Sequence, residues 1–273
     1  MQKIFTAILV STFLFSCSSD PELETPREVK VYDYEAFGES ESISSSGFSF
    51  DETKLIYSSD KSGITNLYSI PVNGGDPTQL TFSEKDSYYF RTSFPNDDRV
   101  IFEHDQEGNE NGHLYILGTD GNETDITPYE DAKSYNIGFS HDGMTYYYGS
   151  NNRDKAAFDI YKISLENLDN GSMNAEMVYK NENLYGDVVL SHDEKIAAAQ
   201  KPQGNDKIDL DIIDLTTGKV IKTLTAEGPV KFVNPSFSLD DKNLDYITNK
   251  DSDFKYAATL DLSSGTTKLR LFR

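Results

Sequence analysis

Short apolar runs alternate with polar, turn-forming stretches along this chain, and one arrangement of the two returns at regular intervals. Around Asp51 the sequence reads FSFDETKLIY; around Asp97, FPNDDRVIF; around Asp142, FSHDGMTYYY. Around Asp193 it reads LSHDEKIAAA, and around Asp240, FSLDDKNLDY. The anchoring aspartates lie 46, 45, 51 and 47 residues apart. A period of that length points to a solenoid or a propeller.

Each unit has the same internal order. A short strand leads into the x-Asp-x turn, where acidic residues and Gly support a tight backbone. Second strands are predicted at 55–57, 100–102, 145–148, 196–199 and 244–247. Third strands follow at 67–70, 114–117, 160–163, 210–215 and 257–262. Gly-bearing turns then lead to fourth strands at 78–81, 124–127, 177–179, 220–224 and 267–271. Four antiparallel strands in about 40 to 50 residues make one propeller blade. The predicted fold is therefore all-β, a β-propeller with about five four-stranded blades near 47–86, 91–130, 138–182, 189–228 and 235–273. No helical period of useful length interrupts it. The segment 41–45 is a candidate extra strand that could help to close the ring.

Composition agrees with a strand-rich fold, with 17 Tyr and 16 Phe among 273 residues. The 25 basic residues against 46 acidic ones give a net charge of −21, which argues against a nucleic-acid partner. The N-terminus, MQKIFTAILVSTFLFSC, carries one Lys and then an apolar run too short to span a membrane comfortably. It ends in Leu14-Phe15-Ser16-Cys17, which resembles the lipobox of bacterial lipoproteins. Cys17 is the single cysteine, so it is the expected lipidation site and no internal disulfide can form. The expected organisation is a signal peptide at 1–16, a polar tether at 17–33 and the propeller at 34–273. Membrane contact is expected through the Cys17 lipid, in the bacterial envelope.

With the units aligned, FSFDETKLIYSSDKSGITNLYSIPVNGGDPTQLT resembles the blade of TolB-type propellers. It also resembles the N-terminal propeller of the prolyl oligopeptidase family of serine peptidases, which includes acylaminoacyl-peptidases and dipeptidyl-peptidases. SFPNDDRVIFEHDQEGNENGHLYI is similar to a second blade of that family, and NNRDKAAFDIYKI with FSHDG to a third. YDYEAFGESESISSSGFSFD resembles the lead-in of bacterial members. The similarity runs from about Tyr34 to the C-terminus. The resemblance implies a propeller that covers an α/β-hydrolase carrying a G-x-S-x-G elbow. In this sequence the one pair of glycines at that spacing, Gly108 and Gly112, brackets Glu110 instead of Ser. No catalytic residue is carried over. The expectation is a non-catalytic propeller lacking the hydrolase, inactive alone, whose relatives use it to admit small peptides. The alternative is a self-contained TolB-like propeller that binds peptide or protein partners.

Other residues invite sharper chemistry. His141 and His192 share one turn position in consecutive units and are expected to be turn residues. His104 and His113 flank an acidic loop without ligand-like spacing. Asp105-Gln-Glu107-Gly-Asn109-Glu-Asn111 alternates oxygen side chains. It departs from a calcium loop at Glu110, where Gly is needed, and at Ile116, where the closing Glu belongs. No metal and no cofactor are expected. Tyr146, Tyr147 and Tyr148 are expected to form a buried strand.

Overall fold

Each aspartate-anchored repeat folds into its own four-stranded antiparallel sheet, in which neighbours in sequence are neighbours in space. The structure, a computed structural model, describes residues 29–38 and 40–269. The expected leader, Cys17 and most of the expected tether lie outside the described residues. The chain divides into two compact units, Met1–Ser40 and Glu41–Arg273. In the first, one helical turn, α1 (Tyr34–Gly38), is capped where Asp33 Oδ1 accepts the Ala36 N–H at 3.0 Å.

Among the described residues, the second unit holds five sheets. The first contains β1 (Ile43–Phe48), β2 (Lys54–Ser59), β3 (Asn66–Pro71) and β4 (Thr78–Gln79). The second contains β5 (Tyr89–Ser93), β6 (Val100–His104), β7 (His113–Leu117) and β8 (Glu123–Asp125). The third contains β9 (Ser134–Phe139), β10 (Thr145–Asp154), β11 (Ala157–Ser164) and β12 (Glu176–Tyr179). The fourth contains β13 (Val188–Leu190), β14 (Ile196–Pro202), β15 (Ile208–Asp214) and β16 (Lys219–Leu224). The fifth contains β17 (Phe232–Phe237), β18 (Asn243–Thr248), β19 (Tyr256–Asp261) and β20 (Thr267–Leu269).

In sheets two, three and four the second strand reads as a continuous apolar run because both of its faces are covered, whereas β18 of the fifth alternates buried and half-buried residues. Successive side chains of a strand point to opposite faces. Val100 and Phe102 therefore pack with Ile56 and Leu67 of the first sheet. Between them, Ile101 points the other way and joins Tyr146 and Tyr148 of the third sheet. Tyr147 turns instead to Val188, Ala197 and Ala199 of the fourth sheet. Ala198 then packs with Phe237, Leu244 and Tyr246 of the fifth. Each interface removes both neighbours' apolar faces from water, at about 25 cal/mol per Å². This is a β-propeller, and the expected tyrosine run is buried on β10, between neighbouring sheets.

Two details depart from the sequence pattern. The segment 41–45 is no extra strand: β1 begins at Ile43 and continues through a bulge to Phe48, so it is the first strand of sheet one. The 51-residue spacing in the third unit accommodates α2 (Leu165–Asp169), a single turn between β11 and β12. Ser164 Oγ caps it by accepting the Asn167 N–H at 3.1 Å, and Leu165 and Leu168 enter the core between sheets two and three.

The fourth strands are short, and threonines finish their work. Beyond β4, Thr81 Oγ1 accepts the Leu67 N–H at 2.9 Å, and beyond β8, Thr127 Oγ1 accepts the Leu114 N–H at 2.9 Å. Both hydroxyls are buried and so satisfy backbone donors that water cannot reach.

Candidate functional site

The repeated aspartate comes first, because its recurrence suggests chemistry. In all five sheets it accepts the backbone N–H two residues on. The distances are 3.1 Å from Thr53 to Asp51, 2.9 Å from Arg99 to Asp97 and 2.9 Å from Met144 to Asp142. Lys195 gives 3.1 Å to Asp193, and Lys242 gives 3.2 Å to Asp240. In four sheets a serine two residues earlier also donates to it, as Ser49 does to Asp51 at 2.7 Å and Ser191 to Asp193 at 2.9 Å. The second sheet has Pro95 there, and Arg99 pairs with Asp97 at 2.7 Å instead. These bonds hold the carboxyls ionised. The Ser49 hydroxyl leads in lowering Asp51 to about 2, and the Ser238 hydroxyl does the same for Asp240. The following residue is left-handed in four sheets: Glu52 at φ 57°, Gly143 at 71°, Glu194 at 60° and Asp241 at 53°. The motif is a turn clasp.

The histidines have different fates. His104 and His113 face each other across β6 and β7. His104 stacks between Tyr115 and Tyr88, with centroids 4.1 and 4.5 Å away, and His113 Nδ1 donates to Asp125 Oδ2 at 2.8 Å. That hydrogen bond raises the His113 pKa against the opposing effect of burial. In the acidic loop, Asp105 accepts the Glu110 N–H and Asn109 accepts the Asn111 N–H, so its oxygens hold the loop's own backbone. Among the described residues, no three His, Cys, Asp or Glu side chains converge as a ligand set.

His141 and His192 are brought together. Their rings lie 5.4 Å apart at 83°, on one cleft of about 410 Å³ between sheets three and four. Tyr147 and Glu194 line the same cleft, joined by a 2.7 Å hydrogen bond from the phenol to Oε2. His192 Nδ1–H donates to Asp241 Oδ1 at 3.0 Å, a residue of the next sheet's turn. Asp241 also accepts the backbone N–H groups of His192 and Asp193, each at 2.8 Å.

A second cavity, of about 480 Å³, opens where first strands meet. β1, β5, β9, β13 and β17 contact one another in succession, so their side chains converge. Ser46, Phe90, Arg91, Glu103, Tyr135 and Asn136 line the cavity. Arg91 is the extra residue of a β-bulge, since the pairing of β5 with β6 jumps from Phe90 to Thr92. A bulge re-aims a side chain, and the Arg91 guanidinium lies 2.9 Å from Glu103 Oε2. Bulges recur in β1 around Ser45, at φ 45°, and in β9 around Ile137. The sequence pattern misses all of them. Positive φ marks two of them, at Ser45 and at Gly138 (133°), and of these only the glycine is a signal that the sequence carries.

Tyr135 stands out in this cavity. Its hydroxyl is buried and has no hydrogen-bond partner, as is also true of the Ser134 hydroxyl beside it. Burial, with Asp187 adding to it, pushes the Tyr135 phenol well above its ordinary range. The ring lies against Gly149, where a Cβ would stand 2.2 Å from it. Glycine is required there for the approach. A buried donor without an acceptor costs about 1–3 kcal/mol and is rare in folded proteins.

No protein-family model matches the sequence, and no curated protein matches it. Solved structures do. TolB from Acinetobacter baumannii is similar with a TM-score of 0.57 at 17% identity, over 83% of this chain and 53% of that one. A putative TolB from Agrobacterium tumefaciens gives 0.56 at 14% identity, over 84% and 80%. A prolyl endopeptidase gives 0.62 at 13% identity, over 85% of this chain and 36% of that one. The chain thus spans about half of the Acinetobacter TolB and about a third of the peptidase. At such identities the likeness speaks for the fold, and the fold is the β-propeller that TolB and the prolyl endopeptidase share.

Proposed function

We propose that this chain is a non-catalytic, peptide-binding propeller, held at the bacterial cell envelope by a lipid on Cys17. The observation that carries the binding is the first-strand cavity, lined by Arg91, Glu103 and Tyr135, the last with an unpartnered hydroxyl buried over Gly149. An extended peptide offers carbonyl and N–H groups at close intervals. The Arg91 guanidinium would take a carbonyl and Glu103 would accept an N–H, and the Tyr135 phenol would take a second carbonyl once its ring turns off Gly149. Phe90 supplies apolar surface alongside. Ligand sites of this kind combine an apolar wall with a few fixed polar groups. The anchoring rests on the Leu14-Phe15-Ser16-Cys17 pattern.

Peptides selected from a random displayed library on the purified chain provide the test. They are expected to lose about tenfold in affinity on Tyr135→Phe, the loss of one hydrogen bond to a buried group. Peptides that bind Tyr135→Phe and Arg91→Gln as well as they bind wild type would overturn the site. Cleavage of such peptides by the purified chain would overturn the non-catalytic part. The anchor is read separately, by incorporation of labelled fatty acid in a bacterial host, which Cys17→Ser is expected to abolish.

A further inference from the structure

The turn position occupied by His141 and His192 holds Phe50, Asn96 and Leu239 in the other three sheets. All five turns form with the same aspartate bond, so the turn itself has no need of an imidazole. Yet the two histidines sit in consecutive sheets, and their rings meet at the rim of one cleft.

The geometry points to a two-histidine site for a zinc-class divalent ion between His141 and His192. Imidazole nitrogens bind zinc at about 2.0–2.1 Å, which places two ring centroids roughly 5 Å apart around a tetrahedral ion. The observed separation is 5.4 Å. His192 is also prepared in the manner of a metal ligand. A carboxylate can only accept, so the 3.0 Å bond to Asp241 fixes the hydrogen on Nδ1 and leaves the Nε2 lone pair free. Asp241 is in turn held by two backbone N–H groups, so the orienting carboxylate is itself fixed.

Electrostatics favours a cation over an anionic ligand. The chain carries a net charge of −21, and Glu194 lines the same cleft. Glu194 is turned into it by Tyr147. With two protein donors, the remaining positions are open to water or to a donor from another molecule, as in sites that exchange ligands. Imidazole pairs suit zinc, copper and nickel, whereas magnesium and calcium seek oxygen ligands. The inference goes beyond the peptide-binding reading, because it concerns a different cleft and needs no partner.

Zinc sulfate titrated calorimetrically into the full-length chain is the test, with Cys17→Ser in the background to remove the competing thiol. One zinc ion is expected to bind, and excess magnesium is expected to leave it in place. His141→Asn and His192→Leu introduce residues that the same turn carries at Asn96 and Leu239, so the fold tolerates them. Each is expected to weaken zinc binding at least about tenfold, and Asp241→Asn by about tenfold through loss of the orienting bond. His113→Asn, in the second sheet, is expected to change nothing. Zinc affinity unchanged by both His141→Asn and His192→Leu, or zinc displaced by magnesium, would overturn the site, as would the absence of binding.

Discussion

The Tyr185 hydroxyl donates to Asp211 Oδ2 at 2.7 Å, with both residues buried at the approach to the fourth sheet. Asp211 also accepts the Thr223 hydroxyl, so one carboxylate ties the β12–β13 connection and two strands together. Burial, followed by this bond, raises the Tyr185 pKa well above its usual range and keeps the phenol a donor. Asp211→Ala leaves the buried Tyr185 hydroxyl without this acceptor, while the Thr223 hydroxyl, on an exposed residue, turns to water. The expected loss is about 2 kcal/mol in urea unfolding, with Asp211→Asn losing less. An unchanged midpoint in Asp211→Ala would remove the clasp from the account of stability.

Backbone strain in the repeated turn predicts two substitutions of opposite sign. Glu52 is exposed and left-handed at φ 57°, a conformation that costs a residue with a Cβ about 1–2 kcal/mol. Glu52→Gly relieves that and returns part of the gain as unfolded-state entropy, so stability is expected to rise by about 0.5–1 kcal/mol. Gly143 occupies the equivalent place at φ 71°, and a Cβ there would stand 2.8 Å from Pro95 Cγ. Gly143→Ala is expected to lose about 1–2 kcal/mol. Urea midpoints shifting the same way for both would show that the turn is not the strained element.

The His113–Asp125 pair sets a pH dependence. The folded pKa of His113 lies above its unfolded value of about 6.5, chiefly through the Asp125 hydrogen bond. Its stabilisation is therefore complete below about pH 6.5 and disappears as pH rises through the folded value. The half-buried pair is worth about 0.5–1 kcal/mol. The gap in unfolding midpoint between wild type and His113→Asn is expected to be widest near pH 5.5 and to narrow by pH 8.5. Asp51 and Asp240 act at the other end of the scale. Their folded values of about 2 lie below the unfolded one, so their contribution is present above about pH 3.9 and is lost as pH falls through 2. A gap for His113→Asn that stays constant with pH would remove the ion pair as its cause.

The turns were legible in the sequence because each depends on residues within six positions of one another. Ser49, Asp51 and the N–H groups of Thr53 and Lys54 form a local circuit, and four copies make the pattern audible above chance. The blades follow from it, since apolar runs at a fixed distance from that circuit must become its strands. The bulge at Arg91 was not legible, because register is decided by which residue of β6 lies opposite. Nor was the meeting of His141 with His192. Equivalent positions in consecutive sheets touch only when the offset between sheets brings one turn beside the next, as it does where Asp241 clasps His192. Sequence spacing alone treats Phe50 and Asn96 as the same kind of pair.

Tyr135 separates stability from binding in a single substitution. Its hydroxyl is buried without a partner, so in the unliganded chain it bears a desolvation cost and returns no hydrogen bond. Tyr135→Phe keeps the ring that packs against Gly149 and removes only the orphan oxygen. The expected result is a gain of about 1 kcal/mol in unfolding free energy together with weaker peptide binding. Ser134→Ala removes the neighbouring orphan and is expected to stabilise similarly. Residues that lower stability while serving a ligand are characteristic of binding sites, and most other buried positions respond to truncation with a loss. A fall in stability on Tyr135→Phe would mean that the hydroxyl has an internal acceptor, and the cavity would then lose the feature that marks it as a site.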